Sequence, residues 1–286
     1  MDIIECKTPI AILLGVYNGE QFLSVQIDSI LAQTNKDWTL FIRDDSSNDN
    51  TRDIIEQYTK RYDTIVSIKD ELGNLGCNGN YFELLRRVKA SYYMFCNADD
   101  FWFEDKIQLS YNKMKEAEKL FAEKAIVVHT DMSVGDINLN IIVPSHWQAG
   151  RYNPEKFKSY NYVGISNLCA GATLLFNDMA KKNCYPEYKG DGLFFDHWLA
   201  LKNVSCGKII SIFQPTMIHR QIGNNLAGSR TVEERTVKYK LTHMRKLWNL
   251  YMIRARELKK IGWGGYLKYF WYKFLVTIKS GSFQII

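Results

Sequence analysis

The chain has 286 residues, of which 46% are hydrophobic and 24% are charged. This much apolar material is enough for one large core, and it excludes a disordered protein, a collagen-like repeat and a disulfide scaffold. The formal net charge of +6 is unevenly distributed. Eleven basic residues and one acid lie between residues 238 and 279, so this segment carries +10 and the rest of the chain sums to −4.

The beginning of the chain and its cysteine pattern favour a cytoplasmic protein. The first eight residues are polar and acidic, which is not expected of a signal peptide. No uncharged apolar run approaches the roughly 18 residues of a membrane-spanning helix. The cysteines are scattered without a CxxC pair, as is typical of buried thiols in a reducing compartment; they are Cys6, Cys77, Cys96, Cys169, Cys184 and Cys206.

Strands and helices alternate in the first half of the sequence. Short apolar runs predict four strands that are buried on both faces: Ile10–Val16, Trp38–Ile42, Thr64–Ile68 and Tyr92–Phe95. Amphipathic segments predict helices at Gln21–Gln33, after a cap at Asn48 or Asp49, at Tyr81–Val88 and at Lys106–Phe121. This alternation predicts an α/β fold in which helices flank a mostly parallel sheet.

Polar segments follow three of the predicted strands: residues 17–20 follow the first, 43–49 the second and 97–100 the fourth. Because ligands bind at the carboxyl ends of parallel strands, we expect these segments to meet in one crevice. Adjacent carboxylates there suit Mg²⁺ or Mn²⁺, which also bind phosphate oxygens. The Asp-rich segment at 44–49 alone is more often a helix-capping turn, so the inference depends on all three segments together.

Several motifs occur in a characteristic order along residues 8–228. They are Leu14–Glu20, Asp28–Thr34, Arg43–Thr51, Asn97–Trp102, Cys169–Asn177, Phe195–Trp198 and Arg220–Asn225. Their combination resembles the family 2 glycosyltransferases of the GT-A fold, and it is most similar to the rhamnosyltransferase-like subgroup. The resemblance implies a Rossmann-like GT-A domain that transfers a sugar from a nucleotide-sugar donor with inversion at the anomeric carbon.

The resemblance assigns a nucleotide site and a metal site to the crevice. The residues that it implies for nucleotide binding are Tyr17, Asn18, Glu20, Asp45, Asn74, Asn80, Asn97 and Asp99. Asp99 and Asp100 match the end of the family's motif for Mg²⁺ or Mn²⁺, with Asp100 implied as a direct ligand. Asn97 stands where the family has its first Asp, which removes one negative charge near the cation. The family often has an arginine near the following loop, and none occurs between Glu71 and Leu85.

The resemblance also implies Asp196 as the general base. An inverting transfer needs a positioned carboxylate, because the acceptor hydroxyl must lose a proton as it attacks. Two alternatives stay open, namely Asp196 as a helix N-cap and the nearby Asp191 as the base. The residues implied on the acceptor side or in a lid over the diphosphate are Gly171, His197, Trp198, His219 and Arg220. Close relatives have a histidine after the Arg-Gln pair, where this chain has Ile222.

Aromatic residues are interleaved with the basic ones in segment 238–279. This composition suits an anionic membrane surface. The alternatives are a helical pair that packs its aromatic residues on the main domain, and a nucleic-acid-binding surface, which we do not expect. The predicted domains are a glycosyltransferase domain at 1–228, with a nucleotide-binding half at about 8–131 and an acceptor half at about 132–228, and a helical extension at 229–286.

The resemblance and the basic segment together predict an enzyme that works at a membrane. We expect dTDP-rhamnose or a UDP-hexose as the donor, and a hydroxyl of a growing, lipid-linked bacterial surface glycan as the acceptor. Such an enzyme would be peripheral on the inner face of the cell membrane. A catalytically inactive GT-A-fold protein that binds a glycan or a membrane is the alternative. Asn97 and Ile222 favour that alternative, whereas Asp45, Asp100 and Asp196 oppose it.

Overall fold

The structure, a computed structural model, describes residues 3–222 and 243–279. Its strands are β1 Ile4–Glu5, β2 Ile10–Val16, β3 Trp38–Asp44, β4 Ile65–Ser67, β5 Val88–Lys89, β6 Tyr92–Asn97, β7 Phe101–Trp102, β8 Ile126–Gly135, β9 Ile141–Val143, β10 Leu174–Asn177 and β11 Lys208–Arg220. Its α-helices are α1 Leu23–Leu31, α2 Thr51–Arg61, α3 Gly76–Arg87, α4 Lys106–Leu120, α5 His146–Ala149, α6 Tyr160–Ile165, α7 Asp178–Asn183, α8 Phe195–Asn203, α9 Met244–Lys260 and α10 Tyr266–Lys279.

Within these residues, nine strands form one sheet in the order β4-β3-β2-β6-β10-β8-β11-β7, with β9 paired to β8. The first four strands of this order are parallel, and β10 is antiparallel to both of its neighbours. The remaining two strands, β1 and β5, form a small parallel pair. The four predicted strands and the parallel arrangement are therefore confirmed, and the mixed sheet continues beyond them.

The structure corrects several predicted boundaries. Strands β3 and β6 each run two residues further than the apolar pattern, to Asp44 and Asn97, because the backbone of these polar residues still pairs with β2. Helix α3 begins at Gly76, five residues before the predicted start. Helix α2 follows Asn50, and the carboxylate of Asp49 accepts a hydrogen bond from the N–H of Thr51 at 3.1 Å.

The two faces of the sheet bury separate apolar clusters. Leu13 of β2 lies in one cluster with side chains of α3, α8, α9 and α10, whereas Ile12 and Leu14 lie in the other with side chains of α1, α2 and α4. Successive side chains of a strand point to opposite faces, so a strand covered on both sides is apolar throughout. This explains why β2 appears in the sequence as an unbroken apolar run.

Helices α9 and α10 pack on the first of these clusters. The contacts are made by the buried side chains Ala255 and Leu258 of α9, Tyr269 and Val276 of α10, and Trp263 of the segment between the two helices. The structure thus confirms a helical pair after the main domain, and shows that its inner side is part of the core. The predicted boundary at 228/229 and the end of the Arg220–Asn225 loop lie outside the described residues. Among the described helices, none is both long and apolar enough to cross a membrane.

Candidate active site

The carboxyl ends of three adjacent strands meet as the sequence predicted. Gly15 near the end of β2 pairs with Arg43 of β3 on one side and with Asn97 of β6 on the other. The polar segments after these strands therefore lie side by side at one edge of the sheet. Gly15 also faces α3, where an added Cβ would lie 2.9 Å from the amide nitrogen of Asn80, so a larger residue would displace the Asn80 side chain.

A buried ion pair holds the loop before α3 over the end of β3. Arg43 is 1% exposed, and its guanidinium donates to Asp45 at 2.7 Å, to Asp70 at 2.9 Å and to the carbonyl of Gly73 at 3.1 Å. The carboxylate of Asp45 also accepts from the backbone N–H groups of Leu75 at 2.8 Å and of residue 76 at 2.9 Å. These bonds fix a loop whose exposed side faces the crevice.

Asp45 and Asn80 lie deeper than the resemblance implied. Asp45 is 2% exposed and its carboxylate already accepts three hydrogen bonds, so little of its surface and of its hydrogen-bonding capacity remains for a nucleobase. Asn80 is 3% exposed and accepts from Arg43 at 3.1 Å. We therefore correct its role from a ribose or diphosphate contact to a support for Arg43. Asn74 is exposed, and its amide donates to the carbonyl of Asp45 at 2.9 Å.

The turn after β2 is bound to the turn after β3. The side chain of Asn18 accepts from the N–H of Asn48 at 2.9 Å, and the carboxylate of Glu20 accepts from the N–H of Asn50 at 2.9 Å. Tyr17 precedes these contacts and is 51% exposed. Asn18 and Glu20 thus shape the turn, and Tyr17 presents an aromatic ring to the solvent at the edge of the crevice.

The acidic segment after β6 is buried and internally bonded. Asp100 is fully buried, and its carboxylate accepts from the Asn97 amide at 2.9 Å and lies 2.9 Å from Nδ1 of His219. Asn97 in turn accepts from the hydroxyl of Tyr81 at 3.0 Å. An aspartate at position 97 could not donate to Asp100. The structure therefore gives a physical reason for the departure from the family pattern, since the amide fixes the orientation of the buried carboxylate.

The donor set of this segment fits a divalent cation. Burial and the neighbouring charge of Asp100 raise the pKa of Asp99 to about 6, so a cation placed here would relieve both effects. His219 is buried, and its Nε2 has no hydrogen-bond partner in the described part of the chain. Carboxylate and imidazole donors suit Mn²⁺, and carboxylates suit Mg²⁺. No group of three or more acidic, histidine or cysteine side chains in metal-binding geometry occurs in residues 3–222 and 243–279.

Arg220 closes this side of the crevice. Its Nε donates to the carbonyl of Asp99 at 2.9 Å, its Nη1 donates to the carbonyl of Ile137, and its guanidinium lies 4.5 Å from the centre of the Phe22 ring. The arginine and His219 are adjacent at the end of β11, so one strand supplies both side chains to the acidic segment. Arg220 therefore joins the acidic segment to the residue that precedes α1 and to the loop that follows β8.

Asp196 lies in the first turn of α8 and accepts two backbone hydrogen bonds. They come from the N–H of Gly171 at 2.9 Å and from the N–H of His197 at 2.6 Å. Burial raises the pKa of Asp196 to about 6 in spite of these bonds, although its side chain keeps some exposure. The helix begins at Phe195 after Phe194, so the alternative of Asp196 as the N-cap is wrong.

Aromatic and amide contacts connect the start of α8, which carries Asp196, to the acidic segment. The ring of Phe195 stacks on that of Tyr81 at 3.9 Å between centroids, and the Tyr81 hydroxyl donates to Asn97. Asn78 of α3 accepts from the N–H of Phe195 at 2.9 Å and donates to the carbonyl of Leu193 at 3.0 Å. The start of α8 is therefore held by α3, the same helix that follows the loop fixed by Arg43 and that supports Asn97.

His197 and Trp198 belong to the core, which corrects their assignment to the acceptor pocket. Nε2 of His197 lies 2.6 Å from the carbonyl of Val163, and burial lowers the pKa of this ring to about 3, so it is neutral and donates. Trp198 donates from Nε1 to the carbonyl of Cys184 at 2.8 Å. Gly171 lies beside Asp196, because its N–H donates to that carboxylate at 2.9 Å. An added Cβ at this position would lie 2.9 Å from the Phe195 ring.

Known proteins resemble this chain over much of its length. The profile of Glycosyl transferase family 2 matches residues 11–182, which is more than half of the chain. The chain belongs to glycosyl transferase family 2. The dTDP-rhamnosyl transferase RfbG of Shigella flexneri is 35% identical over 99 residues, which are 33% of this chain and 34% of that protein. The poly(ribitol-phosphate) beta-glucosyltransferase of Bacillus spizizenii is 31% identical over 109 residues, 37% of this chain and 17% of that protein. The match thus spans about a third or less of these two relatives.

Solved structures show the fold of this family 2 chain. S. aureus TarS 1–349 in complex with UDP-GlcNAc superposes with a TM-score of 0.59 at 13% identity, covering 87% of this chain and 66% of that one. The mannosyltransferase PcManGT from Pyrobaculum calidifontis in complex with GDP-Man and Mn²⁺ gives 0.54 at 11% identity, covering 88% and 72%. The predicted GT-A fold is confirmed.

Sequence reasoning missed two side chains that organise this family 2 site. Arg43, at the end of the neighbouring strand, donates to the carbonyl of Gly73 and so holds the loop that itself contains no arginine. A charged residue at the end of an apolar run was the available signal. Asn78 lies in the part of α3 that precedes the predicted helix start, and nothing in the sequence pattern distinguishes it from the asparagines around it.

Proposed function

We propose that the chain is an inverting glycosyltransferase that uses a nucleotide-sugar donor. One observation carries the proposal. The carboxylate of Asp196 and the acidic segment at 97–100 are held by one set of contacts through Phe195, Tyr81 and Asn97. An in-line displacement needs a base on the attacking side and charge stabilisation on the leaving side, fixed relative to each other. Family membership supports the same reaction class.

Asp196 is the proposed general base. A carboxyl group with a pKa of about 6 is ionised at neutral pH, yet it is more basic than an ordinary aspartate. It can therefore accept the proton of an acceptor hydroxyl as the bond to the anomeric carbon forms. The two backbone N–H groups that Asp196 accepts from orient the carboxylate. The alternative base Asp191 lies on an exposed loop.

We propose that Asp99 and Asp100, with His219 beside them, hold Mg²⁺ or Mn²⁺. When bound, the cation stabilises negative charge on the departing diphosphate. Tyr17 and Asn74 lie on the exposed side of the crevice and are the proposed contacts of the nucleotide, with Asp99 and Asn97 beneath. PcManGT, which shares the fold, is described with GDP-Man and Mn²⁺, which supports this assignment.

For donor and acceptor, we propose dTDP-rhamnose or a UDP-hexose and a hydroxyl of a lipid-linked bacterial surface glycan. RfbG is named for dTDP-rhamnosyl transfer. WfgD of Escherichia coli is named for transfer from UDP-Glc to a GlcNAc-diphosphoundecaprenol, and it is 28% identical over 105 residues. An acceptor of that kind would place the enzyme on the inner face of the cell membrane.

Release of nucleoside diphosphate from a panel of nucleotide sugars tests the proposal. The panel contains UDP-, dTDP- and GDP-sugars with Mn²⁺ or Mg²⁺, and the controls are EDTA and Asp100→Asn. Asp53→Asn is the matched variant, because it removes an exposed carboxylate of α2. We expect slow, metal-dependent hydrolysis of one donor, lost in both controls and kept in the matched variant. Hydrolysis that is insensitive to EDTA and to Asp100→Asn would contradict the metal assignment.

A further inference from the structure

The outer face of α10 is apolar and exposed. Leu267, Trp271 and Phe274 are spaced by four and three residues, so they lie on one side of the helix. Their side chains are 90%, 58% and 55% exposed. The opposite side of α10 is buried in the core through Tyr269 and Val276. A contiguous exposed strip of large apolar side chains marks a surface that interacts with something.

This strip continues onto α9. The ring of Trp248 stacks on that of Phe270 with 5.1 Å between centroids and 12° between planes. Phe270 is the neighbour of Trp271 in the strip. Trp248 is itself 53% exposed, and Met244, one helical turn before it, is 64% exposed. The apolar surface therefore extends across both helices.

Positive charge borders the apolar surface. Arg245 and Lys246 are exposed in the first turn of α9. The single acid between residues 243 and 279 is Glu257, which is buried and bonded to Lys260 at 2.7 Å. We call the combined surface the aromatic-basic face; it consists of Met244, Arg245, Lys246, Trp248, Leu267, Phe270, Trp271 and Phe274.

We propose that the aromatic-basic face docks on the surface of an anionic lipid bilayer. Aromatic rings and aliphatic side chains enter the boundary between headgroups and acyl chains, while arginine and lysine meet lipid phosphates. This inference deepens the proposed function and rests on it for the nature of the acceptor. The docking itself depends only on the composition and exposure of the face.

Two other occupants fit the face less well. A second copy of the chain would bring two positively charged faces together, and like charges repel. The phosphates of a nucleic acid could bind the cations, and its bases could stack on the aromatic rings. Such a partner would leave exposed aliphatic groups such as Leu267 and Met244 without an apolar environment. An anionic bilayer offers phosphates to the cations and an apolar environment to both the rings and the aliphatic groups.

The face lies on the helices that flank the base. Helix α9 contacts the loop before α8, where the Tyr188 hydroxyl donates to Glu257 at 3.2 Å. Arg254, one turn earlier on α9, is close enough for its charge to lower the pKa of Asp196. Helix α9 therefore connects the aromatic-basic face to the region around Asp196, which is the proposed acceptor side of the site.

Vesicle flotation of the full chain tests the docking. The vesicles are pure phosphatidylcholine or phosphatidylcholine mixed with phosphatidylglycerol. We expect the wild-type chain to float with the anionic vesicles, and Trp271→Glu to weaken this binding about tenfold or more. Leu120→Glu is the matched control, because Leu120 is 76% exposed at the end of α4 and the charge change is the same. The control should float like the wild type.

A second measurement does not depend on a charge-changing variant. Brominated lipids quench the fluorescence of rings that enter the bilayer, so we expect quenching that falls in Trp271→Phe. Equal flotation with both kinds of vesicle, equal flotation of Trp271→Glu and the wild type, or retention of an RNA oligonucleotide without flotation would each overturn the proposal. Flotation in a chain that turns over no nucleotide sugar would keep the docking and reject the proposed function.

Discussion

The crevice at the ends of β2, β3 and β6 differs from the aromatic-basic face in how its side chains are used. In the crevice, Arg43, Asp45, Asn97 and Asp100 all bond to other groups of the protein and are mostly buried. On the aromatic-basic face, large apolar groups such as Leu267 are exposed to solvent. In the first region the protein itself fixes the orientation of the side chains, as the proposed chemistry requires. In the second region the exposed apolar groups are covered only if the proposed docking takes place. Variants of the two regions should therefore affect different measurements.

The largest effect that we expect is on the chemical step. Asp196→Asn removes the proton acceptor and keeps the size of the side chain, so kcat should fall roughly 10²–10⁴-fold. Dissociation constants for nucleoside diphosphates should stay unchanged, because the carboxylate lies on the acceptor side. Steady-state rates and calorimetric binding on the same preparation check this. An equal loss in Asp191→Asn and none in Asp196→Asn would reassign the base.

The next effect is on the free energy of unfolding, which should fall more when a buried charge of the crevice is removed than when an exposed one is removed. Arg43→Met leaves the carboxylate of Asp45 buried without its cation and leaves Asp70 only the more distant Arg87 at 3.9 Å, which should lower the free energy of unfolding by about 3–5 kcal/mol. Arg52→Ala removes an exposed partner of Asp44 and should cost about 1 kcal/mol or less. Urea denaturation measures both variants. Similar losses in the two would contradict the account of the loop.

A smaller effect concerns the position of the base. Asn78→Ala removes two hydrogen bonds that hold the start of α8, and we expect kcat to fall about tenfold while the KM for the donor changes little. Asn112→Ala, at an exposed position of α4, is the matched control and should leave kcat and KM unchanged. A fall in donor affinity without a fall in kcat would show that Asn78 supports the loop rather than the base.

The pH profile should report the raised pKa of the base. Since Asp196 acts only when it is ionised, kcat/KM should fall tenfold per pH unit as the pH drops below about 6. Asp99 has a similar pKa, so the profile is also recorded for Asp99→Asn. The acid limb should persist in that variant. Its disappearance would assign the limb to Asp99 instead.

The smallest effect links the two regions. Trp271→Glu should change donor hydrolysis in solution less than about twofold, because the side chain lies outside the crevice and is already exposed. The same variant should lose turnover of an acceptor that is embedded in anionic vesicles. Equal loss in both assays would show that the aromatic-basic face and the crevice are not independent.

Much of the fold was predictable because the parallel strands are covered on both faces. A strand such as β2 is then apolar throughout, and the polar residues that follow it mark the edge where a ligand binds. The order of the motifs along the chain indicated the family. The approach of Phe195 to Tyr81 and of Arg43 to Gly73 was not predictable, because those contacts join residues that are distant in sequence.

The roles that the sequence suggested for the corrected side chains were wrong for a related reason. Asn80 and His197 were themselves predicted to face the ligand, but helices α3 and α8 turn them toward the interior. In a helix, neighbouring residues point about 100° apart, so one residue of a motif can face the crevice while the next faces the core. A motif match alone does not tell which residue of the motif faces the crevice. That depends on the residue at which each helix begins.

Calorimetric titration of the full chain with UDP and dTDP in the presence of Mn²⁺ tests the central claim most directly, because it requires no acceptor. We predict binding of at least one nucleoside diphosphate that is weakened by EDTA and by Asp100→Asn, and unchanged in Asp196→Asn and Trp271→Glu. Absence of binding by any nucleoside diphosphate, with the metal present and the chain folded, would contradict the assignment of the crevice as a nucleotide-sugar site.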